Sequence, residues 1–180
     1  IADLIQYRIK NEKTVERVTS CNLPTRRGDF QLVAYQDVIG NEMHLALVKG
    51  EISPDRPTLV RVHVQNTLCD LFESARDCGW PLRRVMDQVS SEGEGVIVVL
   101  RNYDTARDII HRIQDYKWHG VDDAIPERQK SKDDDLRTIG VGAQILSDLG
   151  VRKMRVMSAP KHLHALAGFE LEVVEFVDTE

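Results

Sequence analysis

No apolar run in the chain approaches the ~20 residues that a membrane-crossing helix requires, so no helical membrane span is expected. Cysteine is scarce. Three in 180 residues, an odd number without dense spacing, make no framework for a disulfide-stapled secreted domain and suit a reducing compartment. Positive charge is not in excess: 24 Lys and Arg stand against 29 Asp and Glu, a net charge of −5. That excludes a broad nucleic-acid footprint and leaves room only for a local basic pocket of the kind that meets a phosphate. The opening stretch IADLIQYRIK is amphipathic and lacks the layout of a signal peptide. The expected location is the cytoplasm. There is no internal repeat and no low-complexity segment. The six histidines make no H-x-x-x-H or H-E-x-x-H pair, and Gly93 and Gly95 are not followed by Lys-Ser/Thr, so a phosphate loop is excluded.

What is present is an ordinary globular composition, 42% hydrophobic and 29% charged, in a chain long enough for one domain with a sizeable core. The pattern predicts an α/β (α+β) fold: antiparallel strands at the N-terminus, then alternating helices and strands. Strands are expected at Thr14 to Thr19, Gln31 to Gln36, His44 to Val48 and Thr58 to Val64, with a turn over Leu23 to Phe30. Several short strands so close together suggest an antiparallel sheet or a barrel-like half. Leu82 to Ser91 reads as a helix with Leu82, Val85, Met86 and Val89 on one face. Val96 to Leu100 is a continuous apolar run, a strand buried on both faces. A helix over Thr105 to Tyr116 turns Ile109, Ile110 and Ile113 inward, and an irregular polar loop follows to Lys132. A third helix, Leu136 to Gly150, is closed by Gly150. Lys153 to Met157 is a strand, Lys161 to Ala167 a short helix, and Leu171 to Val177 the last strand.

Three stretches carry candidate chemistry. Arg61 to Pro81, RVHVQNTLCDLFESARDCGWP, has the layout of a metal-site loop with few metal ligands. Cys69 and Cys78 lie nine residues apart without a C-x-x-C pair. Structural zinc takes four nitrogen or sulfur ligands, catalytic zinc three and a water. Two small apolar cysteines packed under a loop is the plainer reading; a set of Cys69, Cys78 and His63 is the conceivable metal site. Asp133 to Arg137 opens the third helix, where carboxylates satisfy free N–H groups and the helix dipole. Met157 to His162 reads MSAPKH after a strand.

These stretches resemble GTP cyclohydrolase II of riboflavin biosynthesis. That family reads R-V-H-S-E-C-L-T-G-D-x-F-x-S-L-R-C-D-C-G in the first, and Arg61, Val62, His63, Asp70, Phe72, Ser74, Arg76, Cys78 and Gly79 match it. LPTRRGDF, HLALVKGEI and above all DLRTIGVGAQILSDLGV match further family segments. The resemblance covers about residues 14 to 177 and implies the family's fold. A helix over residues 1–13 would join the domain, 14–180, to a preceding 3,4-dihydroxy-2-butanone 4-phosphate synthase.

What the resemblance implies for chemistry is mixed. Asp135 and Arg137 fall on the family's proton acceptor and its proposed nucleophile, and Arg61, Tyr116, Ser158 and Lys161 on its substrate-binding positions. Active members hold zinc with three cysteines. Here Asn66 stands at the first, the second is deleted or replaced at Asp77, and Cys78 is the one matched ligand. Neither zinc nor another cofactor is therefore expected. Where the family has E-G-R at its GTP site, this chain has Tyr103, Asp104 and Thr105. Thr105 removes a bidentate guanidinium contact and Asp104 adds repulsion toward a triphosphate. The expectation is a degenerate, non-catalytic domain that dimerises with itself, supports or regulates a fused synthase, and binds GTP weakly. The alternative is an active enzyme converting GTP to a diaminopyrimidinone ribosyl phosphate, formate and pyrophosphate.

Overall fold

The structure is a computed structural model that describes residues 12–74, 76, 78–101, 106–118, 132–159 and 166–178. Seven strands form one mixed sheet: β1 Val15–Thr25, β2 Gly28–Asp37, β3 Glu42–Lys49, β4 Thr58–Val64, β5 Gly95–Leu100, β6 Lys153–Met157 and β7 Glu172–Val177, in the order β1-β2-β3-β5-β4-β6-β7. The first three strands and β5 pair antiparallel; β5, β4, β6 and β7 pair parallel. The antiparallel half is thus no separate barrel, because β3 runs alongside β5 from Leu45 to Lys49 and joins the two halves. β1 extends through Leu23-Pro24-Thr25, which the sequence assigns to a turn. As an edge strand it tolerates a proline that donates no ladder hydrogen bond.

Helices cover both faces. α1 (Leu82–Glu92) and α3 (Lys132–Asp148) lie on opposite sides; α2 spans Ala106–Trp118. The alternation along β5 decides which residue meets which helix. Val96, Val98 and Leu100 join Val141, Ile145 and Leu146 of α3. Ile97 and Val99 join Val85 and Val89 of α1, with Phe30, Leu59 and Trp80. Every residue of β5 is buried, as its apolar run predicts. α1 ends at Gly93, whose left-handed φ of 81° lets its N–H reach the Val89 carbonyl. α3 ends in a turn at Gly150, φ 87°. α3 begins at Lys132, so Asp133 to Asp135 occupy its first turn rather than precede it. Ile110 and Ile113 of α2 do not point inward as the sequence suggests. Both are 54% exposed, while Tyr116 of the same helix meets Ser74 and Arg76. The expected helix over 1–13 and most of the one at Lys161 to Ala167 fall outside the described residues; Leu166–Phe169 forms a short 3-10 turn.

α3 approaches β4 closely at Gly142. A β-carbon there would come within 3.0 and 3.1 Å of the two Val62 methyls. Overpacking costs roughly 1–3 kcal/mol, against roughly 1 kcal/mol gained in helix propensity on replacing glycine. Gly142→Ala is expected to lower stability by about 1 kcal/mol in a urea titration, and a more stable variant would show that α3 is free to move away.

Candidate active site at the carboxyl ends of the parallel strands

β4 and β6 pair only from Thr58 to Val60 and Met154 to Val156. The chain leaves β4 toward β5 on one side and leaves β6 toward β7 on the other. Open α/β sheets bind ligands in the crevice that such diverging connections leave at the strand carboxyl ends. A cavity of about 480 Å³ lies there, a size that suits a small molecule. Its walls are β4 from Val60 to Val64, the loop carrying Cys69 and Cys78, Trp80, Thr138 of α3 and Ser158 after β6.

Arg61 bridges the gap where the ladder stops, donating from its guanidinium to the Met157 carbonyl at 2.5 Å. Burial lowers its pKa, although an arginine stays cationic under any working condition. His63 is 5% exposed and its Nε2 lies 2.8 Å from Asp70 Oδ2. The same carboxylate accepts from the Asn66 N–H at 2.8 Å and, through Oδ1, from the Leu82 N–H at the start of α1. Burial pushes the Asp70 carboxyl upward, but the hydrogen bonds from His63, Asn66 and Leu82 outweigh it and the pKa is lowered. Arg61 Nε, His63 Nδ1 and Trp80 Nε1 are buried without a partner among the described residues. All three residues line the cavity, whose walls are otherwise largely apolar.

The metal ligand positions do not fit a three-thiolate zinc site. Asn66 Oδ1 accepts from the Leu68 and Cys69 N–H groups at 3.1 and 3.3 Å and caps the single π-helical turn Thr67–Leu71. The two cysteines are not packed as separate thiols, as the sequence suggests. Cys69 and Cys78 are joined by a disulfide, their Cα atoms 6.0 Å apart, inside the range a bridge spans. The turn at Thr67 folds the loop back on itself and brings them together, which spacing alone does not reveal. Cys21 is free and exposed on β1.

A second, smaller cavity of about 60 Å³ lies beside Glu42, His44, Arg137 and Thr138. Ligand atoms of Asp37, Glu42 and His44 lie within 4.8 Å of one another. This is not a vacant cation site in chemical terms, because Arg137 supplies the cation. Its guanidinium sits 2.9 Å from Asp37, which is 2% exposed, and 3.4 Å from Glu42. It also packs over Gly40, where any side chain would displace it. The Arg101 N–H donates to His44 Nδ1 at 3.3 Å, so the His44 proton sits on Nε2, facing Glu42, and no lone pair is offered there. Burial lowers the His44 pKa and keeps the ring neutral.

The profile of the GTP cyclohydrolase II family matches residues 16–178. The chain belongs to that family. It is 41% identical over 178 residues to a 3,4-dihydroxy-2-butanone 4-phosphate synthase from Photobacterium phosphoreum, covering 98% of this chain and 47% of that one. It is 42% identical to the riboflavin biosynthesis protein RibBA of Aquifex aeolicus, over 98% of this chain and 45% of that one. The crystal structure of RibBX, a two-domain 3,4-dihydroxy-2-butanone 4-phosphate synthase from A. baumannii, superposes with a TM-score of 0.70 at 33% identity, over 99% of this chain and 44% of that one. The chain thus spans about half the length of these relatives. No helix among the described residues is long and apolar enough to cross a membrane.

In this family member the residues singled out by sequence separate. Arg61, Cys78 and Ser158 line the large crevice. Arg137 lines the small one, with neighbouring Thr138 reaching both. Tyr116 lies against the crevice loop from outside: its hydroxyl meets Ser74 Oγ at 2.9 Å, and Arg76 stacks 4.4 Å from its ring. Lys161, the Tyr103–Thr105 stretch, Asp77 and the Asp135 side chain lie outside the described residues. Sequence reasoning missed the Asp37–Glu42–Arg137 clamp, whose partners are about a hundred residues apart, and the capping role of Asn66. An Asn immediately before a helical turn was the available signal for the latter.

Proposed function

We propose that this is a non-catalytic GTP cyclohydrolase II-like domain that supports or regulates a 3,4-dihydroxy-2-butanone 4-phosphate synthase, within a homodimeric assembly. The observation that carries the reading is the fate of the ligand positions: Asn66 is spent on capping a turn and Cys78 on a disulfide. Zinc in this family's enzymes supplies an activated water and a Lewis acid; the residues here do not hold it in the family's manner. The relatives named as synthases, each about twice this length, support the pairing with a synthase. Retention of the D-L-R helix does not argue for turnover, since α3 also builds core.

Two measurements test this. Incubation of the chain with GTP is expected to give no formate; turnover lost on Arg137→Ala would overturn the reading. Calorimetry is expected to show weak GTP binding. One missing charge-assisted contact, with Thr105 in place of arginine, costs roughly 1.5–3 kcal/mol, or one to two decades in affinity. A micromolar dissociation constant would contradict it.

A further inference from the structure

The chain enters the sheet through contacts that come from α3. Gln144 turns its carboxamide toward the start of β1. Its Oε1 accepts from the Thr14 and Val15 N–H groups at 2.9 and 3.2 Å. Its Nε2 donates to the Thr14 hydroxyl at 3.2 Å and to the Glu12 carbonyl at 3.5 Å. Asp148 lies one helical turn on and so on the same face. It accepts from Arg17 at 2.9 Å and from the Tyr35 hydroxyl at 2.8 Å, and it pairs with Lys13 at 3.5 Å. From the other side the Thr14 carbonyl accepts the Val38 N–H at 2.9 Å. Thr14 is 7% exposed and Val15 2%. The first residues of a fold fray unless tied down. These are tied to α3, although β1 already pairs with β2 from Val15 onward. Both side chains belong to the stretch DLRTIGVGAQILSDLGV that carries the family resemblance, yet neither lines the large crevice or the small cavity.

We propose that Gln144 and Asp148 form a latch that fixes the direction in which the chain enters this domain, and that a preceding synthase is seated by that latch. The second half rests on the pairing with a synthase proposed above. Domains joined in one chain move relative to each other by default unless a large apolar interface holds them. Fixing the course of the joining segment at its base removes much of that freedom without such an interface. Gln144 supplies the directional part, because its carboxamide meets backbone groups of Glu12, Thr14 and Val15. Asp148 supplies the charge that draws Lys13 and Arg17 onto the helix. The same helix lines the large crevice through Thr138, Ile139, Ala143 and Leu146. The latch and the crevice therefore share one element, and the support given to a synthase comes from the helix that carries the D-L-R motif.

Amide hydrogen exchange in the 180-residue chain reads the latch directly. Gln144→Met keeps the length of the side chain and removes its acceptor and donor, whereas Gln144→Glu keeps the acceptor. Exchange at Thr14 and Val15 is expected to quicken about tenfold in Gln144→Met, the scale of one net hydrogen bond. The β5 amides are expected to stay as in the wild type, and Gln144→Glu to restore protection at Thr14 and Val15. Rescue by glutamate separates the hydrogen bonds from packing along α3. Asp148→Asn keeps an acceptor for Tyr35 and removes the charge facing Lys13 and Arg17; a smaller change in the same direction is expected. X-ray scattering from the chain with its synthase half attached is expected to show a broader spread of interdomain distances in Gln144→Met than in the wild type or Gln144→Glu. Unchanged exchange at Thr14 and Val15 in Gln144→Met overturns the latch. An interdomain spread equal to that of the wild type overturns its seating of the synthase. Neither outcome touches the non-catalytic reading, which formate release from GTP would overturn by itself.

Discussion

Asp70→Ala is expected to lower the unfolding free energy by about 3 kcal/mol, the scale of leaving several buried hydrogen-bonding groups without their shared acceptor. One carboxylate satisfies His63 Nε2, the Asn66 N–H and the Leu82 N–H, and its side chain is 9% exposed. Alanine would leave a buried histidine without its one partner and two backbone donors unpaired; each such orphan costs roughly 1–3 kcal/mol before relaxation and water entry. The pH dependence follows from the same contacts. The folded-state pKa of Asp70 is depressed, so its contribution is fully present above the ordinary aspartate value of about 3.9 and is lost as pH falls through the lower folded value. Asp148 behaves alike. Burial raises its pKa, but the Tyr35 hydroxyl at 2.8 Å and Arg17 at 2.9 Å outweigh this and lower it. Asp70→Asn should therefore flatten the acid limb of the stability curve below about pH 4 without abolishing it, since Asp148 remains. An unchanged midpoint in urea for Asp70→Ala would mean that the His63–Asp70 pair does not hold the crevice wall.

Most of the fold was legible because periodicity reports burial directly. The apolar run Val96 to Leu100 could only be a strand covered on both faces, and the Leu82–Val85–Met86–Val89 stripe only a helix on a sheet. α2 misled because its isoleucines recur at helical spacing, a pattern that shows a face without showing whether anything covers it; Ile110 and Ile113 stand exposed. The joining of the two halves into one sheet was not legible, since nothing in β3 or β5 names its partner. The site divides in the same way. Arg61 and His63 were singled out through the R-V-H match to the family, and the structure sets both beside the large crevice. The disulfide and the Arg137 clamp depend on tertiary approach: in one case a turn closes a nine-residue separation, in the other β2 and α3 meet across a hundred residues.

With GTP, zinc and a thiol reductant all supplied, formate release is expected to stay at background, a loss of the whole acceleration, which for enzymes is typically at least ~10⁶-fold. Hydrolysis of the imidazole ring needs an activated water and a polarised carbon, and the family obtains both from a three-thiolate zinc. In this chain the first thiolate position carries a carboxamide already accepting two N–H bonds, so Asn66→Cys would add a sulfur and remove a cap at once. The arginine of the D-L-R motif is engaged elsewhere. Its guanidinium is 2.9 Å from an Asp37 carboxylate that is 2% exposed, and drawing it toward a nucleotide would leave that carboxylate buried without its counter-ion. Asn66→Cys alone is therefore expected to restore nothing, and neither is Asp37→Asn, which loosens Arg137 but supplies no nucleophile. Rescue should require the missing cysteine pair, the residue absent near Asp77 and an E-G-R sequence at Tyr103 to Thr105 together. The measurement is a coupled formate and pyrophosphate assay on the wild type and these variants. Pyrophosphate without formate would point to Arg137 engaging phosphates alone. Formate from the wild type, abolished by Asp135→Ala or Arg137→Ala, would establish a working cyclohydrolase whose water is activated by some set other than three thiolates.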